Sequence, residues 1–319
     1  MTIPALIGDI GGTNARFALV MPGSVELQSI ETLPCARYGG LVEAIQAYLK
    51  QVGAETPDEA CLAFACPVHE DWVKMTNNDW AFSKKAVAEE LGLSNFKVIN
   101  DFTAQALGIP HIDEKELVKI GEGEAEPRRP RLVIGPGTGL GVAGLVPSRR
   151  AWIPLTTEGG HATFAPTDQR EYQLLDHFRA RYGRVSIERL LCGQGLLDLY
   201  LAHAALLNVT AHYNTPAEIT GAARAGDRVA RETLMRFLKI LGSVAGDAAL
   251  TLGALGGVYL CGGITPRLIE WLPRSDFRRA FADKGRLSAY NAGIPTWVVT
   301  APWTGLLGAA EALHNEEVT

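Results

Sequence analysis

Two glycine-rich turns in the sequence have the composition of phosphate-binding loops. The first is GDIGGTNAR, which begins at Gly8, and the second is GPGTGLG, which begins at Gly135. Glycines let several backbone N–H groups converge without Cβ obstruction, and phosphate oxygens are attracted to such a concavity. Thr13 and Thr138 can each add a hydroxyl donor. No helix directly follows the first turn, so it is neither a Walker A loop nor a dinucleotide-binding turn. An ordinary hairpin turn is the alternative.

Asp9 places a negative charge inside the first turn, where the backbone donors favour an anionic ligand. A carboxylate beside phosphates commonly acts through Mg²⁺ or through the waters that the metal ion holds. We therefore expect no metal held directly by the protein, and a Mg²⁺ ion carried by the ligand's phosphates that Asp9 reaches through water. The structural alternative is that Asp9 caps a hairpin.

The pair Asn100-Asp101 follows an apolar run, Phe96 to Ile99, that predicts a buried strand. Ligands of α/β sheets bind beyond the carboxyl ends of the strands. An ordinary aspartate is ionised near neutral pH, so Asp101 can accept the proton of an attacking hydroxyl during phosphoryl transfer. The alternative is a helix N-cap, because Asn or Asp before Phe102 would cap the next helix.

Glu158 and His161 are separated by two glycines, which predicts a tight loop that presents both side chains together. Glu188 lies downstream in a Ser-Ile-Glu segment. Carboxylates and imidazole are suitable hydrogen-bond partners for sugar hydroxyls. A metal site would need a third ligand. The plainer alternatives are a surface histidine and a solvated helical glutamate.

A third glycine motif, from Gly256 to Ile264, reads as a strand that ends in the pair Gly262-Gly263. Paired glycines at a strand end let a flat base lie against the backbone. Close packing between a helix and a strand is the alternative reason for the same residues.

The elements that must position these residues alternate between strands and helices, which favours α/β domains with a mixed central sheet. Between the second turn and Gly257 the chain is expected to be mostly helical. The patterns predict strands at 5–8, 15–20, 27–33, 61–66, 96–99, 132–134, 142–146, 258–261 and 296–299, and helices at 41–50, 83–91, 172–182, 186–191, 195–207, 216–225, 227–252 and 304–313.

The length of 319 residues favours two domains, and the polar stretch from Pro110 to Pro130 is a plausible boundary between them. Each glycine turn joins two predicted strands, and the turns are about one domain length apart. We interpret this layout as a weak internal duplication. In the last long helix, small residues on one side (Gly242, Ala245, Gly246) predict close packing against a neighbour.

The composition excludes several classes of protein. A net charge of −5 without long runs of like charge argues against nucleic-acid binding. The five cysteines show no CxxC spacing, which makes a disulfide framework or zinc site unlikely, and most lie in apolar surroundings typical of a core. No stretch has the character of a signal peptide or a membrane span, so we expect a cytoplasmic protein without a membrane partner.

Taken together, these motifs resemble the bacterial glucokinase family of the hexokinase/actin-like ATPase superfamily, and the resemblance spans the chain. It is carried in order by GDIGGTNARFAL, CLAFACPV, MTNNDWAFS, VINDFTAQALGIP, GPGTGLGVAGL, EGGHATFAP, GRVSIERLLCGQGL, GGVYLCGGITPR and FRRAFADKGR. The related ROK kinases often carry a CxCGxxGC zinc cluster near their histidine. This chain lacks that cluster, so the resemblance implies the zinc-free branch.

The resemblance implies a role for each matching residue. Asp101 corresponds to the base that takes the proton of the sugar 6-hydroxyl, and Asn100, Glu158, His161 and Glu188 correspond to partners of the sugar hydroxyls. The implied nucleotide contacts are Gly8, Asp9, Ile10, Gly11, Gly12, Thr13, Gly137, Thr138 and Gly139 for the ATP phosphates, and Gly262 and Gly263 for the nucleotide.

The implied fold is an α/β, two-domain actin-like ATPase (ribonuclease H-like) fold with a cleft between a small domain (1–110 plus 302–319) and a large domain (111–301). The implied reaction is ATP- and Mg²⁺-dependent phosphorylation of glucose at the 6-hydroxyl by a cytoplasmic homodimer. Two alternatives stay open. One is a kinase for mannose, fructose or an N-acetylhexosamine, and the other is a sugar-sensing regulator without catalysis.

Overall fold

The computed structural model describes residues 3–318 of the chain. These residues form two larger β-sheets, a two-stranded ribbon and ten α-helices, together with short 3₁₀ turns. The strands are β1 (Ala5–Ile10), β2 (Asn14–Val20), β3 (Gln28–Pro34), β4 (Glu59–Phe64), β5 (Trp72–Lys74), β6 (Ala81–Ser83), β7 (Asn95–Asn100), β8 (Leu117–Ile120), β9 (Arg131–Pro136), β10 (Leu140–Pro147), β11 (Trp152–Thr157), β12 (Val258–Leu260) and β13 (Thr296–Val299). The helices are α1 (Leu41–Val52), α2 (Lys84–Leu91), α3 (Asp101–Gly108), α4 (Gln169–Tyr182), α5 (Gly193–Leu206), α6 (Pro216–Arg224), α7 (Arg228–Leu252), α8 (Phe277–Ala282), α9 (Ser288–Ala292) and α10 (Thr304–His314).

The five-stranded sheet has the order β3-β2-β1-β4-β7. Strand β1 pairs antiparallel with β2 and parallel with β4, and β4 pairs parallel with β7. Apolar side chains of β1, β2, β4 and α1 form one core, in which Phe17, Tyr48 and Phe64 are fully buried. The expected mixed sheet is therefore present.

The six-stranded sheet has the order β11-β10-β9-β12-β13-β8. Strand β12 pairs parallel with both β9 and β13, and β8 adds an antiparallel edge. If β8 is set aside, the strand order repeats that of the first sheet, with β9, β10, β11, β12 and β13 in the places of β1, β2, β3, β4 and β7. This repeat agrees with the internal duplication interpreted from the two glycine turns.

The chain divides into two compact units. The first comprises residues 1–116, 144–156 and 301–319, and the second comprises residues 117–143 and 157–300. Most of the β10–β11 hairpin, residues 144–156, thus belongs to the first unit. The small domain (1–110 plus 302–319) and the large domain (111–301) expected from the sequence stay a prediction.

Helix α7 shows how sequence patterning sets a helix's limits and its packing. Asp227 caps its start by accepting a hydrogen bond from the N–H of Ala230, and Gly253 ends it in the left-handed conformation, with φ of 64°. A Cβ on Gly242 or Gly246 would lie 2.1 or 2.4 Å from carbonyl oxygens of α8. The predicted close packing along the small residues of this helix is confirmed.

Most predicted elements are present, and three expectations about the second half of the chain are wrong. The helix expected at 186–191 is only a 3₁₀ turn, Ile187–Arg189, and the chain is extended again at Cys192, which caps the start of α5. Strands β8 and β11 lie where a boundary loop and a helical region were expected. Strand β8 pairs with β13, so the partner that holds it extended is far away in sequence.

All five cysteines are free and buried. Burial raises the pKa of the Cys61 thiol to about 12 and that of Cys66 to about 11, and it also raises the pKa values of Cys35, Cys192 and Cys261. The expectation that most cysteines are core residues is confirmed. Across the described part of the chain, no helix combines the length and apolarity that a membrane span requires.

Lys97 ties β7 to the end of α10 in the first unit. Its ammonium group donates hydrogen bonds to the carbonyls of Ala312, Asn315 and Val318, at 2.9, 3.1 and 2.7 Å. Hydrogen bonds from a charged donor to half-buried acceptors are among the stronger ones, so Lys97→Met should lower the free energy of unfolding by about 2 kcal/mol. Urea unfolding would measure the change, with the exposed Lys85→Met as the matched control. Equal midpoints for the two variants would contradict this role.

Candidate active site

The first glycine turn connects β1 to β2. The N–H of Gly11 donates to the carbonyl of Asn14 at 2.9 Å, and the N–H of Cys35 donates to the carbonyl of Thr13 at 2.8 Å, so both ends of the turn are fixed. A Cβ on Gly12 would lie 2.6 Å from the Cβ of Asn77, which explains the glycine there by close approach. Gly11 to Thr13 are at least partly exposed, so a ligand can reach the backbone of the turn.

Three predicted phosphate contacts, Gly8, Asp9 and Ile10, lie inside β1 and not in the turn. A Cβ on Gly8 would meet Leu62 at 2.7 Å, and the side chain of Ile10 is fully buried in the first core. Only the backbone of Ile10 is thus available to a ligand. Strand periodicity could have shown that Ile10 points to the core.

Asp9 lies at the carboxyl end of β1 with 19% of its side chain exposed, and it pairs with Arg16 at 3.3 Å. Burial raises the pKa of Asp9, while the guanidinium group of Arg16 opposes that rise. The first turn of α10 approaches closely, since a Cβ on Gly305 would lie 3.1 Å from the Asp9 carboxyl carbon. Arg16 belongs to the GDIGGTNAR motif, but the motif alone indicates no role for it, and no local pattern points to Gly305.

Asn100 and Asp101 mark the boundary at which β7 becomes α3. The Asn100 side-chain oxygen accepts hydrogen bonds from the N–H groups of Phe102 and Thr103, at 2.9 and 3.3 Å. Asn100 is thus the N-cap, and Asp101 is the first helical residue, which also accepts from the N–H of Phe102. The helix N-cap that was the alternative role for this pair is therefore Asn100. The positive end of the helix dipole stabilises the negative charge of the Asp101 carboxylate.

The register of the parallel strands brings the first glycine turn and the Asn100-Asp101 pair to the same side of the sheet, at the carboxyl ends of β1 and β7. Ile10 of β1 lies opposite Phe64 of β4, and Phe64 lies opposite Asn100 of β7. Neighbouring strands are about 4.8 Å apart, so the glycine turn begins roughly 10 Å from the Asn100-Asp101 pair. The first unit therefore presents a candidate phosphate cradle and a carboxylate side by side.

The second glycine turn and the Gly262-Gly263 pair lie together at the corresponding edge of the other sheet. Strand β9 pairs with β12, and a Cβ on Gly135 would lie 2.4 Å from the carbonyl of Cys261. Gly262 adopts φ of 79°, and the N–H of Ile264 donates to the carbonyl of Pro136 at 3.2 Å. Close backbone approach therefore accounts for Gly135 and Gly262, whereas a Cβ on Gly137 or Gly263 would meet nothing within 4 Å.

The start of α5 also contacts the second turn, which the sequence analysis missed. The N–H of Gly193 donates to the carbonyl of Gly137 at 2.9 Å, and Cys192 caps this helix through its sulfur. Helix N-termini favour anions because their N–H groups lack helical partners. The quoted GQGL string was the signal, but its glycines were not connected with the turn.

Glu158, His161 and Glu188 belong to two adjacent 3₁₀ turns of the second unit. The His161 Nε2 atom is 3.9 Å from Glu188 Oε1, with 60% of the histidine and 29% of the glutamate side chain exposed. Glu158 is exposed and its carbonyl accepts a hydrogen bond from the N–H of His161 at 3.0 Å. The two segments are joined by the hydrogen bond from Ile187 to Ala162.

Leu140, at the start of β10, links the second glycine turn to both segments. Its N–H donates to Glu188 Oε2 at 2.8 Å, and a Cβ on Gly160 would lie 2.2 Å from its carbonyl oxygen. A Cβ on Gly139 would lie 2.5 Å from Glu188 Oε2. The position of the Glu188 carboxylate thus depends on the backbone of the turn.

This dependence predicts that two glycines of the same turn respond differently to alanine. Gly139→Ala should displace Glu188, and because Glu188 is the expected partner of a sugar hydroxyl, it should raise the KM for the sugar by about tenfold, the cost of losing one charged hydrogen bond. Gly137→Ala, the matched control, adds a methyl group where nothing lies within 4 Å and should leave the KM for the sugar near normal. Steady-state kinetics would measure both. An unchanged KM for the sugar in Gly139→Ala would contradict the link to Glu188.

The α/β fold has a repeated strand order, with a glycine turn after β1 in one sheet and after β9 in the other. This is the fold of the sugar kinases of the actin-like ATPase superfamily. The crystal structure of a glucokinase from an Antarctic psychrotroph superposes with a TM-score of 0.90 at 38% identity, covering 99% of this chain and 100% of that one.

Sequence comparison gives the family. The glucokinase family profile matches residues 6–316. The glucokinase of Chromohalobacter salexigens is 72% identical over the full length of both chains, and that of Marinobacter nauticus is 56% identical over 98% of each. The chain belongs to the glucokinase family, as the sequence analysis expected.

Proposed function

We propose that this protein transfers the γ-phosphoryl group of ATP to the 6-hydroxyl of glucose, which yields glucose 6-phosphate and ADP. The observation that carries the proposal is the position of Asp101 on the sheet edge where the first glycine turn also lies, two strands away. Membership of the glucokinase family supports the same reaction.

In the proposed mechanism, Asp101 accepts the proton of the 6-hydroxyl as that oxygen attacks the γ-phosphorus. Phosphoryl transfer relies mainly on positioning and charge neutralisation, so one carboxylate base is sufficient. The glycine turns, at Gly8 to Thr13 and Gly137 to Gly139, would hold the phosphates, and Gly262-Gly263 would contact the rest of the nucleotide.

The sugar hydroxyls would be bound by Asn100, Glu158, His161 and Glu188. Because the Asn100 side-chain oxygen accepts the hydrogen bonds of the helix cap, its amide N–H₂ group is the part that would donate to a sugar hydroxyl. Glu188 has one oxygen committed to the N–H of Leu140, which leaves the other oxygen to accept from a hydroxyl.

Mg²⁺ would accompany ATP, and Asp9 is the residue that we propose to reach it through water. A partly exposed carboxylate beside a glycine turn fits a metal ion held mainly by phosphate oxygens. Within residues 3–318, no cluster of three or more His, Cys, Asp or Glu residues is arranged to hold a metal ion. The ion would neutralise charge on the transferred group.

A coupled assay of ADP release across a panel of hexoses tests the proposal. Glucose should give the highest kcat/KM, and glucose 6-phosphate should be the product. Preference for mannose, fructose or an N-acetylhexosamine would favour the first alternative. Sugar binding without sugar-dependent ADP release would favour a sensing regulator.

We also propose a cytoplasmic homodimer in which the two compact units act as the small and the large kinase domain. These proposals are supported by the family resemblance and by the bounds of the units. Sedimentation of the purified protein would test the dimer, since a monomer at micromolar concentration would contradict it.

A further inference from the structure

The second unit contains a cavity of about 300 Å³ whose lining includes none of the proposed active-site residues. It is formed by α4, α5, α7 and the residue before α8. Its lining is rich in titratable groups, which include Arg170, His203, Arg231, Glu232, Arg236 and Lys239. A volume of this size accommodates a small metabolite.

Most charges around the cavity are neutralised by neighbours. Arg236 and Lys239 both bind Glu171, at 2.9 and 2.7 Å, and both also bind Asp168. The remaining lining carboxylates, Glu232 and Asp276, pair with Arg228 and Arg279, at 2.8 and 2.7 Å.

Arg170 and Arg231 are the exceptions. Among the described residues neither guanidinium group has an ion pair or a hydrogen bond, although both line the cavity. Two guanidinium groups without a protein partner among residues 3–318, beside one cavity, favour a ligand of double negative charge, because their planar forks match phosphate oxygens.

His203 supplies a third polar group on the same cavity, with only 3% of the residue exposed. Its Nδ1 atom is 3.0 Å from the Thr233 hydroxyl, which in turn donates its single proton to the carbonyl of Val229 at 2.8 Å. The Nδ1 atom must therefore carry the ring proton and donate to Thr233. The lone pair on Nε2 has no hydrogen-bond partner in the described structure.

The free protein keeps this imidazole neutral. Burial lowers the pKa of His203 to about 4, with Arg236 and Arg170 acting in the same direction and Glu232 against it. Lys239 and Asp276 also line the cavity, with opposite charges. An anion beside Arg170 would offset the cations and would attract a proton to Nε2.

We propose that this cavity binds a small phosphate monoester, held by Arg170 and Arg231, and that binding adds a proton from solvent to His203 Nε2. The protonated Nε2–H then donates to a phosphate oxygen, while Nδ1–H keeps its bond to Thr233. The proposed site would thus bind a phosphorylated metabolite. It depends on neither the identity of the sugar nor the role of Asp101.

Sulfate is the sharpest first probe, because it is a tetrahedral dianion that does not itself titrate between pH 5 and 8. Calorimetry at pH 6, at constant ionic strength in two buffers of different ionisation enthalpy, should show saturable binding with net uptake of protons. Because the proton is taken up on binding, affinity should fall as pH rises from 5 to 7, by up to about tenfold per pH unit. Absence of saturable binding, or binding without proton uptake, would overturn the proposal.

Variants assign the binding to this cavity. Arg170→Gln and Arg231→Gln should each weaken sulfate binding at least about tenfold, the usual value of a charged hydrogen bond. His203→Asn places an amide donor near the position of Nδ1, where it can bond Thr233, and should abolish the proton uptake. Arg149→Gln, at an exposed residue, removes the same single charge and is the control. If sulfate binds at the glycine turns instead, the two arginine variants will have no effect, and the proposal fails.

Competition by glycerol 3-phosphate then tests the class of ligand. Glycerol 3-phosphate should displace sulfate from the unmodified chain, and this displacement should be lost in Arg170→Gln. Sulfate binding that glycerol 3-phosphate cannot displace would overturn the assignment to phosphate monoesters. If His203→Asn fails to fold, the two arginine variants still decide the proposal, because Arg170 is partly exposed and Arg231 is exposed.

Discussion

Asp101→Asn is expected to keep the fold of the protein and to lower kcat by roughly 10²- to 10⁴-fold, the range attributed to a general base. The asparagine retains an oxygen that can accept the hydrogen bond from Phe102, and the helix cap is supplied by Asn100. What the variant loses is the group that accepts the proton of the 6-hydroxyl. Coupled assays would measure kcat, and circular dichroism would verify the fold.

Asp113→Asn is the matched control for this variant. It removes one exposed carboxylate of the same unit, at a residue that pairs only with the neighbouring Lys115. Its kcat should stay near normal. The affinity of Asp101→Asn for the sugar should change much less than kcat. A well-folded Asp101→Asn enzyme with near-normal turnover would remove Asp101 from the mechanism.

Gly308→Ala should be the most destabilising conservative substitution in the first unit, by about 3 kcal/mol. Helices α3 and α10 pack so closely that a Cβ on Gly308 would lie 1.7 Å from the carbonyl oxygen of Ala104. The reverse contact is similar, since a Cβ on Gly108 would lie 2.2 Å from the carbonyl oxygen of Thr304. Backbone atoms cannot rotate away as a side chain does, so the helices themselves would have to separate.

Gly221→Ala provides the matched control, because it is the same substitution in a helix with open space around it. Nothing lies within 4 Å of a Cβ at Gly221. Alanine is the better helix former by about 1 kcal/mol, so this variant should be as stable as the parent or slightly more stable. Urea unfolding of both variants would give the comparison. A similar loss in both would indicate that glycine at 308 is not required by packing.

The sequence predicted the fold well where local patterning decides it. Strands such as β4 and helices such as α7 have apolar periodicity, caps and glycine ends that act over a few residues. The failures were β8, β11 and the 3₁₀ turn at Ile187. Strand β8 has four residues and pairs with β13, which is distant in the chain, so it carries too little pattern of its own to be recognised. Strand β11 forms a hairpin with the neighbouring β10, but none of its residues is buried, so it lacks the alternation that indicates a strand. The turn at Ile187 ends where the chain becomes extended at Cys192.

The candidate site was predictable in its residue types and less so in its connections. The sequence shows that Asn100 and Asp101 follow a buried strand, but only the structure shows that Asn100 is the one that caps the helix. The hydrogen bond from Leu140 to Glu188 spans 48 positions, so no local pattern indicates it. Nor could spacing reveal that α5 starts at the second glycine turn.

The buried thiols have a practical consequence for chemical labelling. Maleimides react with the thiolate, and a cysteine whose pKa is raised to about 11 or 12 by burial carries almost none at neutral pH. The native cysteines should therefore be nearly inert in the folded protein. A single cysteine introduced at an exposed position, such as Val209 in the second unit, can carry a fluorophore without a cysteine-free background.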